Sequence, residues 1–224
     1  MKQSVAVLGL GKYGKSIAET LYELGADVLV VDIKEDLIED FSGKVTSAVC
    51  ADLTNEEETV ALNLSQMDIV VVAMGGNTAA SIMAVAVAKE QGVPRVVAKA
   101  SSDRMASLLK KVGADKIIDP EEEGGKRSAH ILFSDMILDF LQMDENLYMI
   151  EMKPQSAWIG KNLIELDLRK HHNINVVAMR KHGARWGFVD PAVKLEKDSS
   201  LLAVMEKKDV DRIARGKENK HAKG

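Results

Sequence analysis

The sequence predicts an α/β fold: a doubly wound, parallel, Rossmann-like sheet followed by a second, small α+β domain at the C-terminal end. Short apolar runs alternate with helical patterns in the first part of the chain, which is typical of a parallel sheet covered by helices. The runs predicted to form its strands lie at 3–9, 27–32, 45–50, 68–73, 95–99 and 116–118. Later in the chain the spacing changes, and the smaller domain is predicted from strands at 148–152, 174–180, 185–188 and 200–205.

The helices are predicted from apolar periodicity and from residues that begin or end helices. A first helix is predicted at 15–24 and another at 77–91, which stops before Gly92. The acidic, glycine-rich stretch 119–125 interrupts this pattern, and a further helix is predicted over 126–141. The chain is accordingly divided into a first domain, a linker helix, a second domain and a flexible tail, at 1–125, 126–142, 143–214 and 215–224.

A glycine-rich motif follows the first predicted strand. Its residues are Gly9, Leu10, Gly11, Lys12, Tyr13 and Gly14. In such a motif Gly9 allows a tight turn, Gly11 lets the backbone approach a pyrophosphate, and Gly14 lets the helix pack on the strand. The second strand ends about 20 residues later at Asp32, whose carboxylate would accept hydrogen bonds from ribose hydroxyls. The motif therefore predicts a nucleotide site, with NAD preferred over NADP because Asp32 would repel a 2′-phosphate.

Composition and charge exclude several classes of protein. A formal net charge of −4 argues against a general nucleic-acid binder. The apolar runs are shorter than the roughly 20 residues that cross a bilayer, and a strand begins too early to leave room for a signal sequence. A folded cytoplasmic protein that does not itself span the membrane is expected. Its single cysteine, Cys50, is expected to be buried at the end of a strand.

The sequence gives no convincing catalytic residue. Hydride transfer needs an acid or base opposite the nicotinamide, and no histidine stands at a useful spacing from a carboxylate. Motifs of the H-E-x-x-H, C-x-x-C, G-x-S-x-G and P-loop types do not occur. The second domain is also about half the size of an ordinary dehydrogenase substrate domain. A protein without enzymatic activity is predicted, and a small NAD-dependent oxidoreductase is the alternative.

Several segments resemble the regulator-of-potassium-conductance (RCK) family, and within it the cytosolic subunits of Trk/Ktr potassium uptake systems. Besides the glycine motif, the segments are 31–33, 51–54, 72–77, 113–121, 160–161, 163–169, 174–180, 190–191 and 201–205. The resemblance implies a regulatory homodimer that assembles into an octameric ring under a membrane potassium channel or transporter subunit. It also implies control by ATP, ADP or NAD(H), and a peripheral position at the inner face of the cell membrane.

The motif and the resemblance together predict the residues of the nucleotide site. They are Gly9, Gly11, Lys12, Tyr13, Gly14, Asp32, Asp52, Thr54, Asn77 and Lys99. Lys12, Lys99 and the helix start at Asn77 are expected near the terminal phosphate. Asp52 and Thr54 are expected at the adenine edge, although an ordinary turn would use the same residues.

The resemblance also implies a cation site and a contact between subunits. In the family, the glutamate that matches Glu121 helps to hold a divalent cation, here Mg²⁺ or Ca²⁺, beside the γ-phosphate at the dimer interface. Consecutive carboxylates are equally typical of a solvated helix start. The predicted helix 126–141 resembles the family's crossover element, which reaches the partner subunit, and the alternative is a helix packed on its own sheet.

A second ligand site is implied in the C-terminal domain, where some members of the family bind cyclic di-AMP. The matching residues are Leu163, Ile164, Arg169, Ile174, Asn175 and Pro191. An arginine suits a phosphodiester, and aliphatic side chains suit a purine face. The same aliphatic residues would also serve as the core of a domain that binds nothing.

Overall fold

The computed structural model describes residues 2–181 and 183–215 of the chain. They form two compact units, of which the first ends at Glu122 and the second begins at Glu123. The expected tail at 215–224 lies, except for Arg215, outside the described residues. Within the described part of the chain, no helix combines the length and the apolar character that a membrane crossing requires.

The first unit contains a six-stranded sheet in which all neighbouring strands are parallel. Its strands are β1 (Ser4–Leu8), β2 (Asp27–Asp32), β3 (Ser47–Cys50), β4 (Ile69–Val72), β5 (Arg95–Lys99) and β6 (Lys116–Ile118). Their order, β3-β2-β1-β4-β5-β6, reverses direction beside β1, as in dinucleotide-binding folds. Each strand lies within a predicted run, so the predicted parallel sheet is confirmed.

Helices cover both faces of this sheet, which is why its strands are almost continuously apolar. The helices of the unit are α1 (Lys12–Glu23), α2 (Glu35–Phe41), α3 (Glu56–Ala61), α4 (Thr78–Glu90) and α5 (Asp103–Val112). Val5 and Val7 of β1 share a core cluster with residues of α1 and α2. Ala6 and Leu8, on the opposite face of the same strand, pack with residues of α4 and α5.

The second unit is built on a five-stranded antiparallel sheet. Its strands are β7 (Ile137–Gln142), β8 (Leu147–Met152), β9 (Asn175–Lys181), β10 (Gly187–Phe188) and β11 (Ser199–Glu206). The helices of this unit are α7 (Leu163–Leu166), α8 (Leu168–His172) and α9 (Lys207–Ala214). Leu168 and Val210 of these helices share one core cluster with alternate residues of the strands. The predicted α+β character of the second domain is confirmed.

The helix predicted over 126–141 is wrong at both ends. The observed helix α6 (Pro120–Phe133) starts earlier, and Ile137–Gln142 is the strand β7. The early start has a local cause, because the Asp119 carboxylate accepts a hydrogen bond from the Glu122 N–H at 2.9 Å and Pro120 suits a first helical turn. The strand has a nonlocal cause, because it is stabilised by antiparallel pairing with β8.

The second half of α6 contacts the sheet of its own chain. Arg127 donates two hydrogen bonds to the Asp139 carboxylate of β7, at 2.8 and 2.7 Å. The His130 ring stacks on Phe140 of the same strand with a centroid distance of 3.8 Å. These contacts join α6 to β7 of its own chain, and none of the described residues of the helix is buried, so its contact with a partner subunit stays a prediction.

Two smaller expectations also differ from the structure. Helix α1 begins at Lys12, three residues before the predicted start, because Gly11 already has extended backbone angles and acts as the N-cap. Cys50 is exposed instead of buried, because β3 is the edge strand of the sheet.

Candidate functional site

A cavity of about 900 Å³ lies at the carboxyl ends of the parallel strands. In open α/β sheets this edge, at the point where the strand order reverses, is where ligands bind. Of the residues predicted for the nucleotide or the cation, those that line the cavity are Gly9, Gly11, Lys12, Tyr13, Asp32, Asn77, Lys99 and Glu121. The structure therefore brings together residues from five separate parts of the sequence.

The glycine motif forms the part of the cavity wall between β1 and α1. Gly9 has a positive φ of +100°, which glycine adopts without strain, and its N–H donates to the Val31 carbonyl at 2.7 Å. Gly14 is buried where a Cβ would overlap the Gly9 carbonyl oxygen. By contrast, a Cβ on Gly11 would meet nothing within 4 Å. Gly11 is thus the glycine of the motif that leaves space for a ligand.

No side chain of the described residues caps the start of α1 at this cavity. Gly11 is the N-cap residue and provides no side-chain acceptor for the first turn. The first turn of a helix carries N–H groups without intrahelical partners and a partial positive charge, and both attract phosphate. An anionic group fits here without displacing any protein side chain that caps the helix.

Asp32 connects the end of β2 to the glycine motif. Its carboxylate accepts hydrogen bonds from the Leu10 N–H at 2.6 Å and from the Lys34 N–H at 3.0 Å. A carboxylate offers about four acceptor positions, so these two bonds leave others for ribose hydroxyls. Lys34 also lines the cavity, although the sequence analysis did not single it out. Its position two residues after Asp32 is the signal that could have found it.

Lys99 and Glu121 form an ion pair on the opposite side of the cavity. The Lys99 ammonium donates to the Glu121 carboxylate and also lies 5.9 Å from the centre of the Tyr13 ring. The Lys99 side chain is only 12% exposed, whereas that of Glu121 is 68% exposed. The hydrogen bond from Lys99 is the main reason that the pKa of Glu121 is lowered. Glu121 is therefore a negatively charged group at neutral pH.

Asn77 lines the cavity but uses its side chain within its own helix. Its side-chain oxygen accepts a hydrogen bond from the Ala80 N–H at 3.1 Å and caps α4. The Ser81 hydroxyl donates to the Asn77 and Met74 carbonyl oxygens and fixes the turn that precedes this helix. Asn77 consequently shapes the cavity through the backbone.

Asp52 and Thr54 lie outside the lining of this cavity. The Asp52 carboxylate accepts from the Thr54 hydroxyl at 2.7 Å and from its N–H at 2.9 Å, which together lower the pKa of Asp52. The Asp52 N–H donates to Glu58 at 2.7 Å. The observed arrangement corresponds to the ordinary turn that the sequence left as an alternative.

A complete protein metal site does not occur in the described part of a single chain: no group of three His, Cys, Asp or Glu side chains could hold an ion there. The carboxylates around the start of α6 do not form such a group, because Glu121 is paired with Lys99 and Asp119 caps the helix. A cation beside Glu121 would need further ligands from outside the chain.

In the second unit, backbone hydrogen bonds join three of the residues predicted for the cyclic di-AMP site. The Leu163 and Ile164 N–H groups both donate to the Pro191 carbonyl, at 3.0 and 3.4 Å. Arg169 is exposed on α8, and Asn175 is exposed at the start of β9. Ile174, in contrast, is 1% exposed and belongs to the core of the unit.

Comparison with known proteins is consistent with both units. The TrkA-N domain family matches residues 5–120, and the TrkA-C domain family matches residues 147–215. Ktr system potassium uptake protein C of Bacillus subtilis is 38% identical over 181 residues, which are 81% of this chain and 82% of that protein. Ktr system potassium uptake protein A of Vibrio alginolyticus is 38% identical over 176 residues, 79% of this chain and 80% of that protein.

Solved structures share the fold. The RCK domain of GsuK superposes with a TM-score of 0.65 at 14% identity and covers 96% of this chain, which corresponds to 47% of the GsuK chain. The GsuK channel bound to NAD gives a TM-score of 0.64 at 12% identity, over 96% of this chain and 40% of that one. With two matching domain families and these relatives, the chain belongs to the TrkA-N/TrkA-C family of Trk- and Ktr-system potassium uptake proteins, and its fold is that of RCK domains.

Proposed function

We propose that this chain is a cytosolic, nucleotide-sensing regulatory subunit of a potassium uptake channel or transporter, without enzymatic activity of its own. The observation that carries the proposal is the cavity at the start of α1, where Gly11 leaves open space, no described side chain caps the helix and the Asp32 carboxylate lines the same cavity. Membership of a family of potassium uptake proteins supplies the process that the nucleotide would regulate.

The proposed ligands are ATP, ADP or NAD(H). All share an adenosine ribose and a pyrophosphate, for which Asp32 and the start of α1 are suited. A volume of about 900 Å³ is within the usual range for such ligands. GsuK, which shares the fold, has been solved bound to NAD and to ADP. These facts support an adenine nucleotide as the ligand.

Regulation would follow from a shift between two shapes of an assembly. We propose a homodimer that assembles into an octameric ring and contacts the membrane subunit from the cytoplasmic side. A nucleotide can shift such an equilibrium only through a difference in its affinity for the two shapes. ATP and ADP differ by one charged phosphoryl group, so Lys12 and Lys99, which line the same cavity, are the residues proposed to distinguish them.

A divalent cation, Mg²⁺ or Ca²⁺, is proposed beside Glu121. Since the described residues of one chain provide no group of three metal ligands there, the remaining ligands would come from the nucleotide phosphates and from a second copy of the chain. The cation would compensate the charge that phosphate adds to a cavity already lined with carboxylates.

Cyclic di-AMP is proposed as a ligand of the second unit. Arg169 carries a permanent, planar charge suited to a phosphodiester and lies exposed near Leu163 and Ile164 in the sequence. Ile164 is exposed as well, whereas an aliphatic side chain needed only for the core would be buried.

The proposal is tested by calorimetric titration with ATP, ADP and NADH, together with native mass measurements of the purified chain. Binding of at least one nucleotide and a mass of eight chains are expected. Turnover of NADH with small carbonyl or alcohol substrates at ordinary enzymatic rates would instead establish the alternative, a small NAD-dependent oxidoreductase.

A further inference from the structure

Lys99 is held at a point where it can reach two different anionic partners. Its side chain extends from the end of β5 past Gly75, where a Cβ would come within 3.3 Å of both Cε and Nζ of the lysine. The ammonium lies over the Tyr13 ring, in the first turn of α1, and pairs with Glu121, in the first turn of α6. A largely buried cation is thus positioned between the start of α1 and Glu121.

The charge balance of the cavity opposes a phosphate chain, and the pair between Lys99 and Glu121 keeps one of its lysines from offsetting this. Among the described residues, three lysines and four carboxylates line the cavity, so its formal charge is negative before any ligand enters. Lys99 is already neutralised by Glu121. A phosphate at the start of α1 would therefore meet a net excess of carboxylates, which Lys99 offsets locally if it turns toward the phosphate and which a cation offsets if it enters beside Glu121.

We propose that Lys99 exchanges partners when a nucleotide binds: its ammonium leaves Glu121 and pairs with phosphate, and the released Glu121 carboxylate becomes available to a divalent cation. The inference rests on the proposed function and adds to it a coupling between nucleotide binding and cation binding. In the nucleotide-free chain Lys99 occupies Glu121 and keeps cations away. With phosphate present, Lys99 and the cation act on the ligand together, so that nucleotide and cation each strengthen the binding of the other.

The exchange predicts an effect of opposite sign for the two partners. Glu121→Gln removes the competitor for Lys99, so ATP should bind more tightly in EDTA, by about two- to fivefold for a partly exposed ion pair. Lys99→Met keeps the apolar stem and removes the charge, so ATP should bind more weakly. In the Lys99→Met background, Glu121→Gln should strengthen binding only as much as Glu122→Gln does, because no ammonium remains to be released.

The experiment is calorimetric titration of the full-length chain in EDTA with ATP, for the wild type, the two single variants and the double variant. Glu122→Gln is the matched control, because it removes one negative charge from the same cavity without removing the partner of Lys99. Glu122→Gln should strengthen ATP binding equally in the presence and absence of the Lys99 charge.

Two further titrations test the roles of phosphate and cation. Adenosine, which lacks phosphate, should bind all variants with the same affinity. Repeating the ATP titrations with Mg²⁺ should give a gain in affinity for the wild type that is lost in Glu121→Gln.

The outcomes separate this inference from the function on which it rests. Additive effects of Lys99→Met and Glu121→Gln, or weaker ATP binding by folded Glu121→Gln, would overturn the exchange while leaving a nucleotide site in place. No binding of ATP, ADP or NADH to the folded wild type would overturn the proposed function, and the exchange with it.

Discussion

Gly14 packs directly against the backbone of Gly9, so closely that a Cβ at position 14 would overlap the Gly9 carbonyl oxygen. The contact joins the first turns of α1 to the turn that follows β1. Two glycines of the motif are therefore required by the fold itself, and Gly11 alone of the three leaves open space at the cavity. Substitutions at Gly14 and Gly11 should accordingly have different consequences.

Gly14→Ala is expected to lower the free energy of unfolding by about 1–3 kcal/mol, because the overlapping atom belongs to the backbone and cannot rotate away. Urea unfolding followed by circular dichroism measures the change. Gly11→Ala is the matched control, with a change of about 0.5 kcal/mol or less expected because its Cβ meets nothing. Equal losses in the two variants would contradict the packing role of Gly14.

Gly11→Val and Asp32→Ala should both weaken ATP and NADH binding. The valine would occupy the space open to a pyrophosphate, and the alanine removes an acceptor whose loss costs about 1–3 kcal/mol. Calorimetric titration with both ligands measures the effect, and circular dichroism verifies the fold. A folded Asp32→Ala chain with unchanged affinity for both nucleotides would refute the site.

Asp115 should make stability depend on pH in acid. Its carboxylate accepts from the Val96 N–H at 2.6 Å, and chiefly for that reason its pKa is lowered; the Lys89 ammonium, at 3.1 Å, adds to the effect. Because the folded pKa lies below the unfolded one, this stabilisation is present above about pH 4 and is lost as the pH falls through the folded pKa.

Asp115→Asn is thus expected to flatten the dependence of stability on pH below about pH 4 and to cost about 1–2 kcal/mol at neutral pH. Denaturant unfolding from pH 2 to pH 7 measures both. Lys89→Met removes the ion pair but keeps the backbone hydrogen bond, so its cost should stay below about 1 kcal/mol. An unchanged acid slope in Asp115→Asn would show that other carboxylates control it.

Arg169→Ala should weaken cyclic di-AMP binding to the full chain by more than about tenfold and leave ATP binding unchanged, because a charge-assisted bond to phosphate is lost. Lys170→Ala, at the next exposed position of the same helix, controls for general charge. Titration of both variants with each ligand makes the comparison. Equal weakening by the two variants would indicate a nonspecific attraction.

The second unit should need β7 to fold. Ile137 and Phe140, which are 2% and 4% exposed, are the residues through which β7 contributes to the core of the unit. Truncation of either side chain to alanine would lower the free energy of unfolding by about 2–5 kcal/mol. A fragment of residues 134–215 is expected to show a cooperative thermal transition, whereas one of 143–215 should melt at a much lower temperature or lack a transition. Equal melting temperatures would contradict the role of β7.

Much of the first unit was predictable because its signals are local. The apolar run of β1, the turn at Gly9 and the carboxylate at Asp32 each follow from backbone preferences or from a short, regular spacing. The six strands and the edge of the sheet at which the cavity lies could therefore be predicted without knowledge of any long-range contact.

The sequence by itself determined the six strands of the first unit and the edge of the sheet that holds the candidate site. Only the tertiary structure decided that Lys99 pairs with Glu121, that 137–142 is a strand and that Asp52 closes a turn outside the cavity. The ion pair joins residues 22 positions apart, and β7 is a strand because β8 pairs with it. Helical periodicity describes one segment at a time, whereas a sheet edge or an ion pair depends on which partner the folded chain brings near.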